Sequence, residues 1–196
     1  MKKEKRVFLV YPSFPSGLFP SISPALLSLA AYAAQYNPNF IVRIWDERID
    51  GPFDPGIAKD ALVCITAMTA QASRTKYIAK KVKQVGAYDV VFGGIHPTAC
   101  PEEFLEYGSV VQGEIEGGSF TNVLSDYNEG RLLAKKYFTP PGSLENLLLA
   151  PDRFYEYAAK LSDNMISDGR GCPLGCSYCS IHIISGKTDI GQWKKL

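Results

Sequence analysis

A chain of 196 residues, 46% of them apolar, can bury the core of one full domain and begin a second, which excludes an intrinsically disordered segment. A net charge of +1, with Lys and Arg dispersed apart from the amino-terminal KKEKR, excludes a basic nucleic-acid-binding surface. The apolar run VFLVY is stopped by Pro12, too short for an export signal or a membrane span. The expected compartment is therefore the reducing cytoplasm, where an odd count of five cysteines argues against disulfides.

The first predicted element is a buried strand at 6–11, RVFLVY. A proline-rich loop leads to a helix of about three turns, with Ser23 as N-cap and Pro24 at its first position. FIVRIWD (40–46) and ALVCITA (61–67) are the next strands. A helix follows from about 70 to 85, with Ile78, Val82 and Val85 on the core side and Lys76, Lys80 and Lys83 in water. Gly86 is placed to end it. YDVVFGG (88–94) is a fourth strand, PEEFLEY (101–107) a short helix with acids in its first turn, and SVVQ (109–112) a fifth strand. SFTNVLSDY forms a last helix before Gly130.

Strands apolar throughout, alternating with helices, predict a doubly wound five-stranded parallel α/β sheet covered on both faces, over residues 1–138. A proline- and glycine-bearing connector and a helix near 152–161 occupy 139–162. A second unit begins at 163, with a strand at 164–169 and then GRGCPLGCSYCS.

That last stretch places Cys172, Cys176 and Cys179 within eight positions. Thiolates hold zinc and iron–sulfur clusters alike. Zinc sites usually draw four ligands from two separated pairs, whereas here three cysteines share one tight loop with Gly171 and Gly175 beside them. Three thiolates on a cubane cluster leave one iron without a protein ligand. A zinc knot completed by His182 is the alternative.

This Cys-x3-Cys-x2-Cys loop, with Tyr178 immediately before the third cysteine, resembles the signature of the radical S-adenosylmethionine (radical SAM) superfamily. The resemblance implies that Cys172, Cys176 and Cys179 bind a 4Fe–4S cluster whose open iron is chelated by S-adenosylmethionine. It also implies that the main chain at Tyr178 lies near the adenine. Reductive cleavage of that cofactor, supplied by an external one-electron donor of the flavodoxin or ferredoxin type, then yields a deoxyadenosyl radical.

In an open α/β sheet ligands bind beyond the carboxyl ends of the strands, where the loops at 12–17, 66–71, 93–100 and 113–118 should gather. No glycine-rich phosphate fingerprint is present. VVFGGIHPT, PEEFL and VVQGEIE are similar to the cobalamin-binding domain that precedes the radical SAM domain in one large subclass. By that resemblance Thr66, Met68, Gly93, Gly94, His96, Gly113 and Glu114 are candidate cobalamin contacts. The loop after the first strand lacks the histidine of the Asp-x-His-x-x-Gly motif, and Ile115 stands where the subclass has glycine. His96, before a proline in a turn, reads equally as structural. Cys64 reads as a buried small hydrophobe and Cys100 as a loop thiol.

Only seventeen residues follow Cys179, too few for a complete (β/α) barrel, so the chain reads as the amino-terminal portion of a longer enzyme and is expected to be inactive alone. The implied reaction is methylation or rearrangement of an unactivated carbon in an unidentified small molecule. The competing reading is a non-catalytic α/β binding module with a zinc- or cluster-stabilised tail. No membrane partner is expected.

Overall fold

The computed structural model describes residues 4–15, 23–115, 118–138, 148, 150–154, 156, 160, 172, 174 and 176–185. The strands are β1 (Arg6–Tyr11), β2 (Ile41–Asp46), β3 (Leu62–Thr66), β4 (Asp89–Gly93), β5 (Ser109–Gln112) and β6 (Lys136–Phe138). They form one sheet in the order β2-β1-β3-β4-β5-β6, with every neighbouring pair parallel. The sheet thus has six strands, one more than the sequence predicts. β6 is short, and only its central Tyr137 is buried, so it carries no apolar run.

The helices are α1 (Pro24–Tyr36), α2 (Ala72–Gln84), α3 (Ile95–Ala99), α4 (Ser119–Glu129) and α5 (Ile181–Ile184). Alternation along each strand splits the core in two. Val7, Leu9, Leu62, Cys64 and Val91 pack with Leu26 and Ala30 of α1 and with Phe120, Leu124 and Tyr127 of α4. Phe8, Val10, Val63, Ile65 and Phe92 pack with Ile78, Ala79 and Val82 of α2 and with Phe104. Each fully buried large apolar side chain contributes about 1.5–3 kcal/mol, and these two layers hold the sheet rigid. The connector joins the α1–α4 layer, where Ala150 and Phe154 are buried and Leu148 is half-buried.

Several elements depart from the sequence reading. α3 occupies what reads as a loop, and the expected helix at 101–107 is a 3-10 turn at Pro101–Glu103. Val85 lies just past the end of α2 and is 36% exposed, so it does not join Ile78 and Val82 in the core. Ser23 and Pro24 take their expected cap positions, but Ser23 makes no side-chain cap bond. The expected helix near 152–161 begins as a 3-10 turn at Asp152–Phe154. The strand at 164–169 lies outside the described residues.

The amino edge of the sheet is cross-tied. Tyr127 Oη accepts from Arg6 N–H and donates to Arg6 O, each at 3.1 Å. Arg6 Nη1 donates to Ile57 O at 3.1 Å. Burial pushes the Tyr127 hydroxyl up to about 12, so it stays protonated in this role. Gly108, at the root of β5, sits where a Cβ would lie inside contact distance of the Val90 carbonyl oxygen and 2.9 Å from its carbon.

Candidate functional site

The carboxyl edge has the opposite character. β3 and β4 run in register with Thr66 opposite Gly93, and the next residues stay joined, Ala67 N–H donating to Gly93 O at 2.9 Å. Gly94 then turns at φ +95°. A Cβ there would lie 2.8 Å from Thr66 Oγ1 and 3.1 Å from Ala67 O, so only glycine lets these loops close up. At Gly93 an added Cβ would meet nothing within 4 Å. Beside this open floor, Met68 and Ile95 remain 41% and 45% exposed. The structure therefore brings Thr66, Met68, Gly93 and Gly94 together, as the sequence predicts.

The next loop joins the same edge through α3. Gly113, at φ +80°, donates its N–H to Thr98 Oγ1 at 3.1 Å, while Gln112 Nε2 donates to Thr98 O at 3.3 Å. Glu114 Oε1 accepts from Ser185 Oγ at 2.5 Å. Ile115 packs against the α1–α4 core layer.

His96 is placed differently. It is 8% exposed, with Nδ1 3.3 Å from Thr69 Oγ1 and Nε2 3.6 Å from Glu103 Oε2. Its ring meets Phe104 edge-on at 5.5 Å. Both ring nitrogens face protein partners, and the residue braces α3 against the following turn. The structural side of its sequence reading is the one the geometry matches.

Sequence reasoning missed the polar cluster at the point where strand order reverses, between β1 and β3. Gln71 is fully buried there; its Nε2 donates to Pro12 O at 2.5 Å and its Oε1 accepts from Met68 N–H at 3.0 Å. Glu47, 6% exposed, accepts from Ser13 N–H at 2.9 Å, Phe53 N–H at 2.7 Å, and Arg74 Nε and Nη2 at 2.9 and 2.5 Å. Burial raises its pKa, but Arg74 and the two backbone donors outweigh this and hold the carboxyl below its usual range. The cluster ties down the loops after β1, β2 and β3. It leaves the open floor at β3–β4. The Gln71–Met68 capping contact is local, but Pro12, Ser13 and Arg74 lie far along the chain from the residues they meet, so no local pattern signals the cluster.

Cys64 and Cys100 take their expected places. Cys64 is buried, which pushes its thiol up and keeps it inert, and Cys100 is exposed at the end of α3. Cys172, Cys176 and Cys179 are free thiols of intermediate exposure, with Cys179 N–H donating to Cys176 O at 3.1 Å. Tyr178 between them is 91% exposed. Among the described residues no group of three His, Cys, Asp or Glu side chains is arranged to hold a metal ion. The three cysteines keep thiolate donor chemistry at the Cys-x3-Cys-x2-Cys spacing of the sequence, and Gly93 leaves space at the sheet edge. No helix among the described residues is long and apolar enough to cross a membrane.

Residues 57–119, which hold this edge from β3 through the loop after β5, match the family model of the B12 binding domain. The chain is 29% identical over 205 residues to bacteriochlorophyllide d C-12(1)-methyltransferase of Chlorobaculum tepidum, covering 95% of this chain and 42% of that protein. It is 31% identical over 160 residues to bacteriochlorophyllide d C-8(2)-methyltransferase of the same organism, covering 75% of this chain and 32% of that protein. The chain thus spans less than half the length of the curated relatives it matches. In fold it resembles the radical S-adenosylmethionine methyltransferase TsrM from Kitasatospora setae, solved with tryptophan substrate and a SAM analog, at a TM-score of 0.51 and 20% identity. That likeness covers 64% of this chain and 26% of the other. A second structure of TsrM, with cobalamin and a [4Fe-4S] cluster bound, gives a TM-score of 0.50. The fold is a parallel α/β sheet of six strands, its residues 57–119 match the B12 binding domain, and the two bacteriochlorophyllide relatives are methyltransferases.

Proposed function

We propose that this chain supplies the cobalamin-binding domain and the cluster-binding turn of a radical SAM methyltransferase acting on a small molecule. Residues 1–138 bind cobalamin, 139–162 connect, and 163–196 carry the cysteine turn. The observation that carries this reading is the co-occurrence, in one chain, of an open glycine floor in a B12 binding domain and a Cys-x3-Cys-x2-Cys turn. The match to the C-12(1) methyltransferase supports taking the two together. It leaves only the remaining 5%, about ten of 196 residues, unmatched, and Cys179 stands seventeen residues from Leu196.

Gly93 admits the ligand to the floor, Gly94 and Thr66 keep the two loops closed beneath it, and Met68 and Ile95 offer it apolar surface. Gly113 lines the far side. Cys172, Cys176 and Cys179 hold a three-thiolate cluster, with Tyr178 beside it available to S-adenosylmethionine. When bound, these groups supply reductive cleavage of a carbon–sulfur bond and carriage of a methyl group. With no histidine in the loop after β1, and with both nitrogens of His96 engaged, this domain offers cobalt no imidazole from either place.

Two measurements on the purified chain test the proposal. Hydroxocobalamin titration followed by absorbance should show saturable one-to-one binding. Anaerobic reconstitution with iron and sulfide should give a brown protein, and replacing any one of the three cysteines by alanine should remove most of the iron while sparing cobalamin binding. Tightly held zinc with no cluster, lost on His182→Ala, would instead establish the binding-module reading. Absence of cobalamin binding would sink the assignment of the sheet edge.

A further inference from the structure

Glu114 lies in the loop after β5, among the candidate ligand contacts, yet its carboxylate is engaged by a residue from the far end of the chain. Ser185 Oγ donates to Glu114 Oε1 at 2.5 Å across 71 residues, and Ser185 is only 5% exposed. The neighbouring backbone is also in contact, since a Cβ on Gly113 would lie 3.4 Å from Ile184 O. Gly113 is itself fixed by its bond to Thr98 of α3, against which α5 also packs. This seat is held because α3 is tied both to the residue after β3, by His96 N–H to Ala67 O at 3.2 Å, and to Gln112 of β5 through Thr98 O.

From Ser185 back to the cysteines the backbone is bonded turn by turn. Ser185 N–H donates to Ile181 O at 2.8 Å, Ile184 N–H to Ser180 O at 3.2 Å, and Cys179 N–H to Cys176 O at 3.1 Å. A short bonded path therefore links the latch to two of the three thiols.

We propose that Gly113, Glu114 and α3 form a docking seat for the segment that follows Cys179, and that Ser185 latches it, making Glu114 a positioning residue for the cysteine turn. The docking stands on these contacts alone. Its meaning, that the seat holds the cluster turn at the edge where cobalamin binds, rests on the proposed function.

The test uses the complete reduced chain without cobalamin, iron or S-adenosylmethionine, so its result does not depend on that reading. Iodoacetamide labelling of each cysteine is timed by peptide mass spectrometry, with exposed Cys100 as the internal reference. A hydrogen bond to a charged group is strong enough that Ser185→Ala and Glu114→Ala should each speed labelling of Cys176 and Cys179 about tenfold. The double variant should be no faster than either single one. Ser185→Thr, which keeps the hydroxyl, should restore the wild-type rate, and Cys100 should not change in any variant. Unchanged rates at Cys176 and Cys179, multiplicative effects in the double variant, or an equal rise at Cys100 would each overturn the latch. If Glu114→Ala fails to fold, Ser185→Ala with its threonine rescue decides alone, because Ser185 lies outside the sheet.

Discussion

The two edges of this sheet are built from the same strands but to different ends. At the amino edge Tyr127 and Arg6 tie a helix, a strand and a loop together, and Gly108 is glycine because the Val90 carbonyl occupies the space of a side chain. At the carboxyl edge Gly93 is glycine with nothing near it, and large apolar side chains stay half in water. One glycine is required by the fold, the other leaves room. The difference teaches that glycine in a sheet has two physical meanings, which only the surroundings separate.

Substitutions can break this contrast, and the largest effect belongs to the amino edge. Gly108→Ala pushes a methyl group into the Val90 backbone, which cannot yield as a side chain can. The variant should lose about 3 kcal/mol or more in urea unfolding, and a near-wild-type midpoint would show that this edge is not tightly closed. Glu47→Gln comes next, removing the charge that Arg74, Ser13 and Phe53 share, with an expected loss of about 2 kcal/mol at neutral pH. The folded pKa of Glu47 is depressed, so its contribution is present above the ordinary value of 4.5 and disappears as pH falls below it. The variant should accordingly show a flatter acid limb in a plot of stability against pH. An unchanged limb would remove Glu47 from the account.

Gly93→Ala should have the smallest effect on stability, within about 0.5 kcal/mol of wild type, because the added methyl meets no atom. The same methyl stands on the proposed ligand floor, so the affinity for hydroxocobalamin should fall about tenfold or more, which is about 1.4 kcal/mol. Strong destabilisation by Gly93→Ala, or full affinity without instability, would end the distinction between the two glycines.

How much of this was legible in the sequence depended on how local the cause was. β5 is read to the residue, because Gly108 and Gly113 bracket a short apolar run. α3 is missed because Pro97 reads as a breaker, yet it lies in the first turn, where the backbone N–H it lacks has no helical partner anyway. β6 is missed because an edge strand with exposed Lys136 and Phe138 needs no apolar pattern. At the site, Thr66, Gly93 and Gly94 are legible from motif and register. Gln71 and Glu47 are not, since their partners Pro12 and Ser13 lie 59 and 34 residues away. The Glu114–Ser185 bond, spanning 71 residues, is equally invisible to local reading.

Ala150 and Phe154, buried against α1 and α4, carry a consequence for the other end of the molecule. The chain advances eighteen residues from Phe154 to Cys172, which bounds their separation at roughly 60 Å by covalent geometry alone. Were the proposed Glu114 contact released, covalent linkage alone would keep the cysteine turn within that distance of Phe154. Recapture is then a unimolecular event, independent of how dilute the protein is.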